Sequence, residues 1–192
     1  MTDRQVVVFG GSGFLGSHVA DALSDAGYRV RIFDCAPSPY LRADQEMVVG
    51  DLLDLDPVNA AARRCAFVYP FARKRHRFGQ TLDAVRLNVL GNLHALEAAR
   101  AAGAKRFVFA STLYVYSESG SFYRASKQAA ERFVETYQER YGLDYTILRY
   151  GSLYGRRADR RNGIHRLLRQ ALETRRIHYS GSGDAMREYI HV

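Results

Sequence analysis

The 192-residue chain of 21.7 kDa has the length of one ordinary domain, or of one domain and part of a second. Its 47% apolar and 25% charged residues describe a globular chain and exclude a disordered one. No apolar run approaches the roughly 18 residues of a membrane span, residues 1–5 hold no signal-peptide core, and the net charge of +8 is mostly arginine, with Lys74, Lys105 and Lys127 as the lysines.

Val6-Val7-Val8-Phe9 is a short β-branched and aromatic run ending at Gly10, the mark of a buried strand. From about 14 to 26, Leu15, Val19, Ala22 and Leu23 recur at helical spacing until Gly27 stops them. Strands follow at 30–33 and 47–49, a helix begins near Asp56-Pro57, and 67–69 is a weaker strand. One long helix is predicted over 82–102 on Val85, Val89, Leu93 and Leu96, ending at Gly103. A strand at 107–109, a helix at 123–141, a strand at 145–148 and a helix at 164–172 complete the order. Strand and helix alternate, and the strands are apolar on both faces. The expected fold class is therefore α/β, a Rossmann-type doubly wound parallel sheet with helices on both faces. The irregular stretches 35–45, 70–80, 111–122 and 151–163 mostly follow strand C-termini, where ligands bind in open α/β sheets.

The turn after the first strand reads Gly10-Gly11-Ser12-Gly13-Phe14-Leu15-Gly16. Glycine is needed in such a turn for tightness, for close approach to a pyrophosphate and for helix–strand contact. The exposed N–H groups and the helix dipole then face phosphate charge. Glycine also marks ordinary turns, but here strand, loop and helix stand in the required order. Asp34 ends the second strand, where a carboxylate can bind a ribose 2′-OH. Dinucleotide binding follows, with NAD preferred over NADP because Asp34 would repel a 2′-phosphate; Arg31 is the nearby counterweight.

Tyr123-Arg124-Ala125-Ser126-Lys127 sets a phenol and an ammonium four residues apart at a helix start, hence on one face. A phenol ordinarily keeps its proton to about pH 10; a neighbouring ammonium and a nicotinamide cation are the charges that turn it into a base near neutrality. The pair stands shortly after Ser111-Thr112, at the end of a strand.

Together these residues resemble an extended short-chain dehydrogenase/reductase of the nucleotide-sugar epimerase/dehydratase group, of the UDP-glucose 4-epimerase type. Further matching segments are Gly50-Asp51-Leu52, Asn88-Val89-Leu90-Gly91-Asn92, Val115-Tyr116, Leu148-Arg149-Tyr150 through Tyr154-Gly155, and Arg187-Glu188-Tyr189-Ile190-His191-Val192. The resemblance implies an NAD site at Gly10, Gly13, Phe14, Leu15, Gly16 and Asp34, with Asp51 and Leu52 at adenine, Asn88 lining the cleft and Tyr150 near the nicotinamide. It implies that Tyr123 takes a proton from a sugar hydroxyl while C4 gives hydride to the nicotinamide. Lys127 would bind the nicotinamide ribose and Thr112 would hydrogen-bond the reacting oxygen, with Ser152 and Arg187 on the nucleotide-sugar substrate.

Where the family carries His-Leu-Ala-Ala, this chain has Tyr69-Pro70-Phe71-Ala72; the interval from Tyr116 to Tyr123 is short, and Ser152 replaces a frequent asparagine. Dehydratases place an Asp-Glu pair after the threonine, and Leu113-Tyr114 stand here instead, which favours 4-epimerisation or C4 oxidation and reduction. The expected division is an NAD-binding domain over 1–150 and a partial substrate lobe over 151–192, the chain stopping where family members continue. A catalytically weak NAD-binding module, serving as sensor or subunit, is the alternative. Cys35 and Cys65 support neither a disulfide framework nor a metal site, and both are expected to be reduced, buried small hydrophobes in a cytoplasmic, homo-oligomeric protein. The clusters Arg73-Lys74-Arg75-His76-Arg77 and Arg156-Arg157 with Arg160-Arg161 lack the interleaved aromatics of a nucleic-acid platform and read as solvated surface, with the phosphates of a nucleotide ligand as the alternative partner for their guanidinium forks.

Overall fold

The computed structural model describes residues 4–72, 81–118, 120–179, 184, 186 and 188–192. They form two compact units, Met1–Arg149 and Tyr150–Val192. The first is built on strands β1 (Gln5–Phe9), β2 (Arg29–Asp34), β3 (Gln45–Val49), β4 (Phe67–Pro70), β5 (Arg106–Thr112) and β6 (Tyr145–Tyr150), the last residue of β6 beginning the second unit. Its helices are α1 (Phe14–Asp25), α2 (Leu55–Ala62), α3 (Thr81–Val85), α4 (Gly91–Ala101) and α5 (Ser121–Tyr141). Sheet order is β3-β2-β1-β4-β5-β6, with β1 parallel to β2 and β4, β2 to β3, and β4 to β5. The expected doubly wound sheet is therefore present, and its order reverses between β1 and β4, the position where such sheets open a crevice.

Period-2 alternation divides the core between the faces. Val7 and Phe9 join Phe33, Phe107 and Phe109 in a buried cluster with Val58, Leu96, Ala130 and Val134 from α2, α4 and α5. Val6, Val8, Val30 and Ile32, equally buried, point to the opposite face, where α1 packs on β1 and β2.

One helix departs from expectation. The predicted helix over 82–102 is α3, a π-helical turn at Arg86–Leu90, and α4. An extra residue in that turn rotates the buried stripe: Val85 is exposed and Asn88 is buried. Such turns recur at functional sites.

The second unit holds a parallel pair, β7 (Ser152–Tyr154) with β8 (Tyr189–His191), which the sequence did not announce, and helix α6 (Gly163–Thr174). Asn162 caps α6, accepting from the His165 N–H at 3.1 Å and donating to the Leu153 carbonyl at 2.6 Å. None of its described residues is buried. Among the described residues, no helix is long and apolar enough to cross a membrane.

Candidate active site

The C-terminal ends of parallel β1, β2, β3 and β5 lie along one edge of the sheet, and most of the expected site residues sit there. Gly10 leaves β1 with φ +80°, its N–H donating to the Phe33 carbonyl at 2.8 Å. That left-handed conformation suits glycine, and a Cβ here would lie 2.4 Å from the Ala72 nitrogen. At Gly16 a Cβ would lie 2.2 Å from the Gly10 oxygen, so the loop folds directly onto the first turn of α1. Gly13 stands at the N-cap without a side chain to cap the helix, and the first turn, with Phe14 and Leu15, carries no acidic residue. The cradle thus offers amide donors and a positive dipole end to an anion.

Asp34, the last residue of β2, closes this loop by accepting from the Ser12 N–H at 3.0 Å and from the Cys35 N–H at 2.8 Å. Arg31 is engaged elsewhere: Nε donates to Glu46 Oε2 at 2.8 Å and Nη1 to the Ala61 carbonyl at 2.6 Å. Its guanidinium therefore serves β3 and α2. Cys35 is exposed, contrary to expectation, because the chain leaves the sheet at Asp34; only Cys65 is buried. Partial desolvation of the sulfur, then the hydrogen bond and charge of Asp34, push the Cys35 thiol above its ordinary range, although the residue is exposed. Burial, helped by the charge of Glu46, lifts Cys65 to about 11 against a lowering by Arg31.

Asp51 shapes the turn after β3, Oδ1 accepting from the Leu53 N–H at 2.9 Å, while the Gly50 N–H donates to the Asp34 carbonyl at 2.9 Å. Leu52 is buried, and its carbonyl lies 2.9 Å from His94 Nδ1. From the π turn, Asn88 Nδ2 donates to Ser126 Oγ at 3.1 Å, and that hydroxyl donates to the Tyr123 carbonyl at 2.9 Å. The turn is thereby tied to the start of α5.

Thr112 ends β5 and is buried; its Oγ1 accepts from the Tyr114 N–H at 3.3 Å, capping a 3₁₀ turn over Leu113–Tyr116 and keeping its own proton to donate. On α5, Tyr123 is half-buried at the first turn, and Lys127 is 3% exposed one turn on. Lys127 Nζ donates to the Ala110 carbonyl at 2.8 Å and lies 4.6 Å from the centre of the Phe109 ring. An ammonium of such burial needs these partners.

Two expected residues belong to the second unit: Tyr150, and Ser152, whose N–H donates to the Glu188 carbonyl at 2.9 Å. Arg187 and the cluster Arg73–Arg77 lie outside the described residues. Sequence reasoning missed Glu131. It is buried on α5, accepts from the Ser111 hydroxyl, and takes Arg149 Nε at 3.1 Å and Nη2 at 2.8 Å. Burial works to raise its carboxyl, but the bonds from Arg149 and Ser111 outweigh it and the net shift is downward. The available signal was the unbroken i, i+4 series Tyr123, Lys127, Glu131.

The same architecture recurs in known proteins. A UDP-glucose 4-epimerase from Thermotoga maritima, solved with UDP-glucose, is 26% identical at a TM-score of 0.89, over 97% of this chain and 69% of its own. The Thermus thermophilus UDP-glucose 4-epimerase, solved with NAD, is 28% identical at 0.84, over 97% and 70%. A dTDP-D-glucose 4,6-dehydratase of Mus musculus is 27% identical over 98% of this chain and 61% of its own length. The chain thus spans somewhat under or over two thirds of these relatives. The NAD dependent epimerase/dehydratase family model matches residues 6–192, and the chain belongs to that family.

Proposed function

We propose that the chain binds NAD and acts on a nucleotide sugar, epimerising it through transient oxidation at C4. The observation that carries this is the arrangement along one sheet edge. The glycine cradle and Asp34 end β1 and β2, and Thr112 ends β5, whose Ala110 carbonyl accepts from Lys127 on α5 at 2.8 Å. When bound, NAD supplies the hydride acceptor. The amides of Phe14, Leu15 and Gly16, with Gly13 leaving the N-cap open, would hold its diphosphate, Asp34 would accept from the adenosine ribose hydroxyls, and Asp51 and Leu52 would border adenine.

Tyr123 would remove the proton of the C4 hydroxyl, and the Lys127 ammonium would stabilise the negative charge on the phenol oxygen and hold the nicotinamide ribose. Thr112 donates to the reacting sugar oxygen, holding it in line. Asn88 lines the cleft and, through Ser126, fixes the backbone at Tyr123. We assign residues 1–150 to NAD binding, with Tyr150 as a residue for the nicotinamide, and 151–192, with Ser152 and Arg187, to the nucleotide sugar. Leu113 and Tyr114 offer no carboxylate for eliminating water, which supports epimerisation over dehydration.

The test is NAD and NADP titration, followed by assay of UDP-glucose conversion by wild type and Tyr123→Phe. NAD should bind more tightly than NADP, since neither Asp34 nor the engaged Arg31 favours a 2′-phosphate. Tyr123→Phe should lose about 10²- to 10⁴-fold in turnover with NAD affinity kept. Wild-type turnover in that variant would remove Tyr123 from the chemistry. NAD binding without conversion of any nucleotide sugar would instead identify a cofactor-binding module.

A further inference from the structure

We propose that Glu131 is a positioning residue of this reaction, bracketing Thr112 from both sides through Ser111 and Arg149; the inference rests on the roles given above to Thr112, Tyr123 and Lys127. Tyr123, Lys127 and Glu131 occupy successive i, i+4 positions and so share one face of α5. The lower two grip consecutive residues of β5. Lys127 Nζ holds the Ala110 carbonyl at 2.8 Å, and Glu131 holds the Ser111 hydroxyl. Thr112 comes next in the chain.

The bracket closes on the far side. Arg149 meets Glu131 with two of its nitrogens and donates with Nη1 to the Tyr116 hydroxyl at 2.6 Å, its guanidinium 5.1 Å from that ring's centre. Tyr116 is the last residue of the 3₁₀ turn that Thr112 begins. One carboxylate thus fixes the residue before Thr112 and, through Arg149, the end of the turn after it. Gln128 adds a strap from α5 to the Val115 carbonyl at 2.9 Å.

Glu131 is 7% exposed, and burying a carboxylate is unfavourable unless its oxygens are well satisfied. Replacing such a pair by apolar groups often leaves stability unchanged or improved. Stability alone is therefore a poor reason for an anion here, whereas holding a hydroxyl donor in line with the phenol is a good one. Misplacement of a reacting group by about 1 Å can lower a rate about 100-fold.

Ser111→Ala and Glu131→Gln, each in the full chain beside Tyr123→Phe, test this. Deuterium exchange at residues 110–116 in the chain without NAD should accelerate in both variants while exchange in β1 and β2 is unchanged. With UDP-glucose and saturating NAD, kcat and kcat/KM should fall together by about 10-fold, with KM and the NAD Kd unchanged, the pattern of an interaction lost at the reacting centre only. Should Glu131→Gln fail to fold, Ser111→Ala still removes one arm of the bracket and leaves the ion pair. Unchanged exchange at 110–116 overturns the inference without needing any substrate. Faster exchange with unchanged kcat overturns it too. Wild-type turnover in Tyr123→Phe overturns the reaction assigned above instead, and exchange alone then decides whether Glu131 holds the strand end.

Discussion

The two units of the chain differ in what holds them together. Every buried apolar residue named above lies in Met1–Arg149, where Phe9, Phe33, Phe107 and Phe109 are almost fully enclosed. In Tyr150–Val192 no described residue is buried, and Leu168 and Leu172 of α6 are exposed. This unit carries nine arginines against four acidic residues, more than half of the net charge of +8. The first unit is organised by excluding water. The second is organised by caps, a three-residue parallel pair and ion pairs on a cationic surface, and its described residues form no core. The glycine cradle and Asp34 sit in the part whose packing can hold atoms rigidly in place.

Core truncation should separate the units most sharply. Phe107→Ala should lower the unfolding free energy by about 3–5 kcal/mol, whereas Leu172→Ala should change it by less than about 0.5 kcal/mol. Urea denaturation of both variants checks this, and an equal loss would show that the exposed face of α6 contributes as a core does. Next in size is Gly16→Ala. The added methyl meets the Gly10 carbonyl, a backbone group that cannot swing aside. A strain of about 1–3 kcal/mol should appear as an NAD Kd raised about 10- to 100-fold in titration calorimetry.

Acid should distinguish the ion pairs of the two units. Glu131 and Glu97 are held below their ordinary value of 4.5. In both, burial opposes the shift; bonds from Arg149 and Ser111 overcome it at Glu131, and bonds from Tyr137 and Arg100 at Glu97. Their stabilisation is complete above the unfolded-state value and is lost as pH falls through the lower folded-state value. Asp159 is also lowered, chiefly by its bond from Arg161, but that pair is largely exposed and contributes little. Melting temperature measured from pH 7 to about pH 3 should fall less steeply below about 4.5 for Glu131→Gln than for wild type, while Asp159→Asn should follow wild type.

The smallest effect lies within the first unit. A thiol reagent should label exposed Cys35 in the native chain and reach Cys65 only on unfolding, since Cys65 is 2% exposed and its thiol is raised to about 11. NAD should slow labelling of Cys35, the neighbour of Asp34; unchanged labelling would place the ribose elsewhere.

Local spacing made the glycine cradle, Asp34 and the Tyr123–Lys127 pair legible. Each depends on residues within one turn or one helix, so strand period, glycine position and the i, i+4 rule suffice to align them. The alternating apolar runs likewise determined the parallel sheet, because strands buried on both faces have few other ways to be covered. The π turn was not legible. Its one extra residue over Arg86–Leu90 falls within the tolerance of any helical pattern, yet it decides that Asn88 rather than Val85 is buried.

Tertiary structure alone decided which polar groups meet. Ser111 reaches Glu131 across 20 residues, Arg149 reaches it across 18, and Arg31 is drawn to Ala61 across 30. The exposure of Cys35 likewise depends on where the chain leaves the sheet. Apolar burial is non-directional and leaves a periodic trace along the chain. A hydrogen bond between distant side chains requires one particular approach of two elements, and no local pattern encodes that approach.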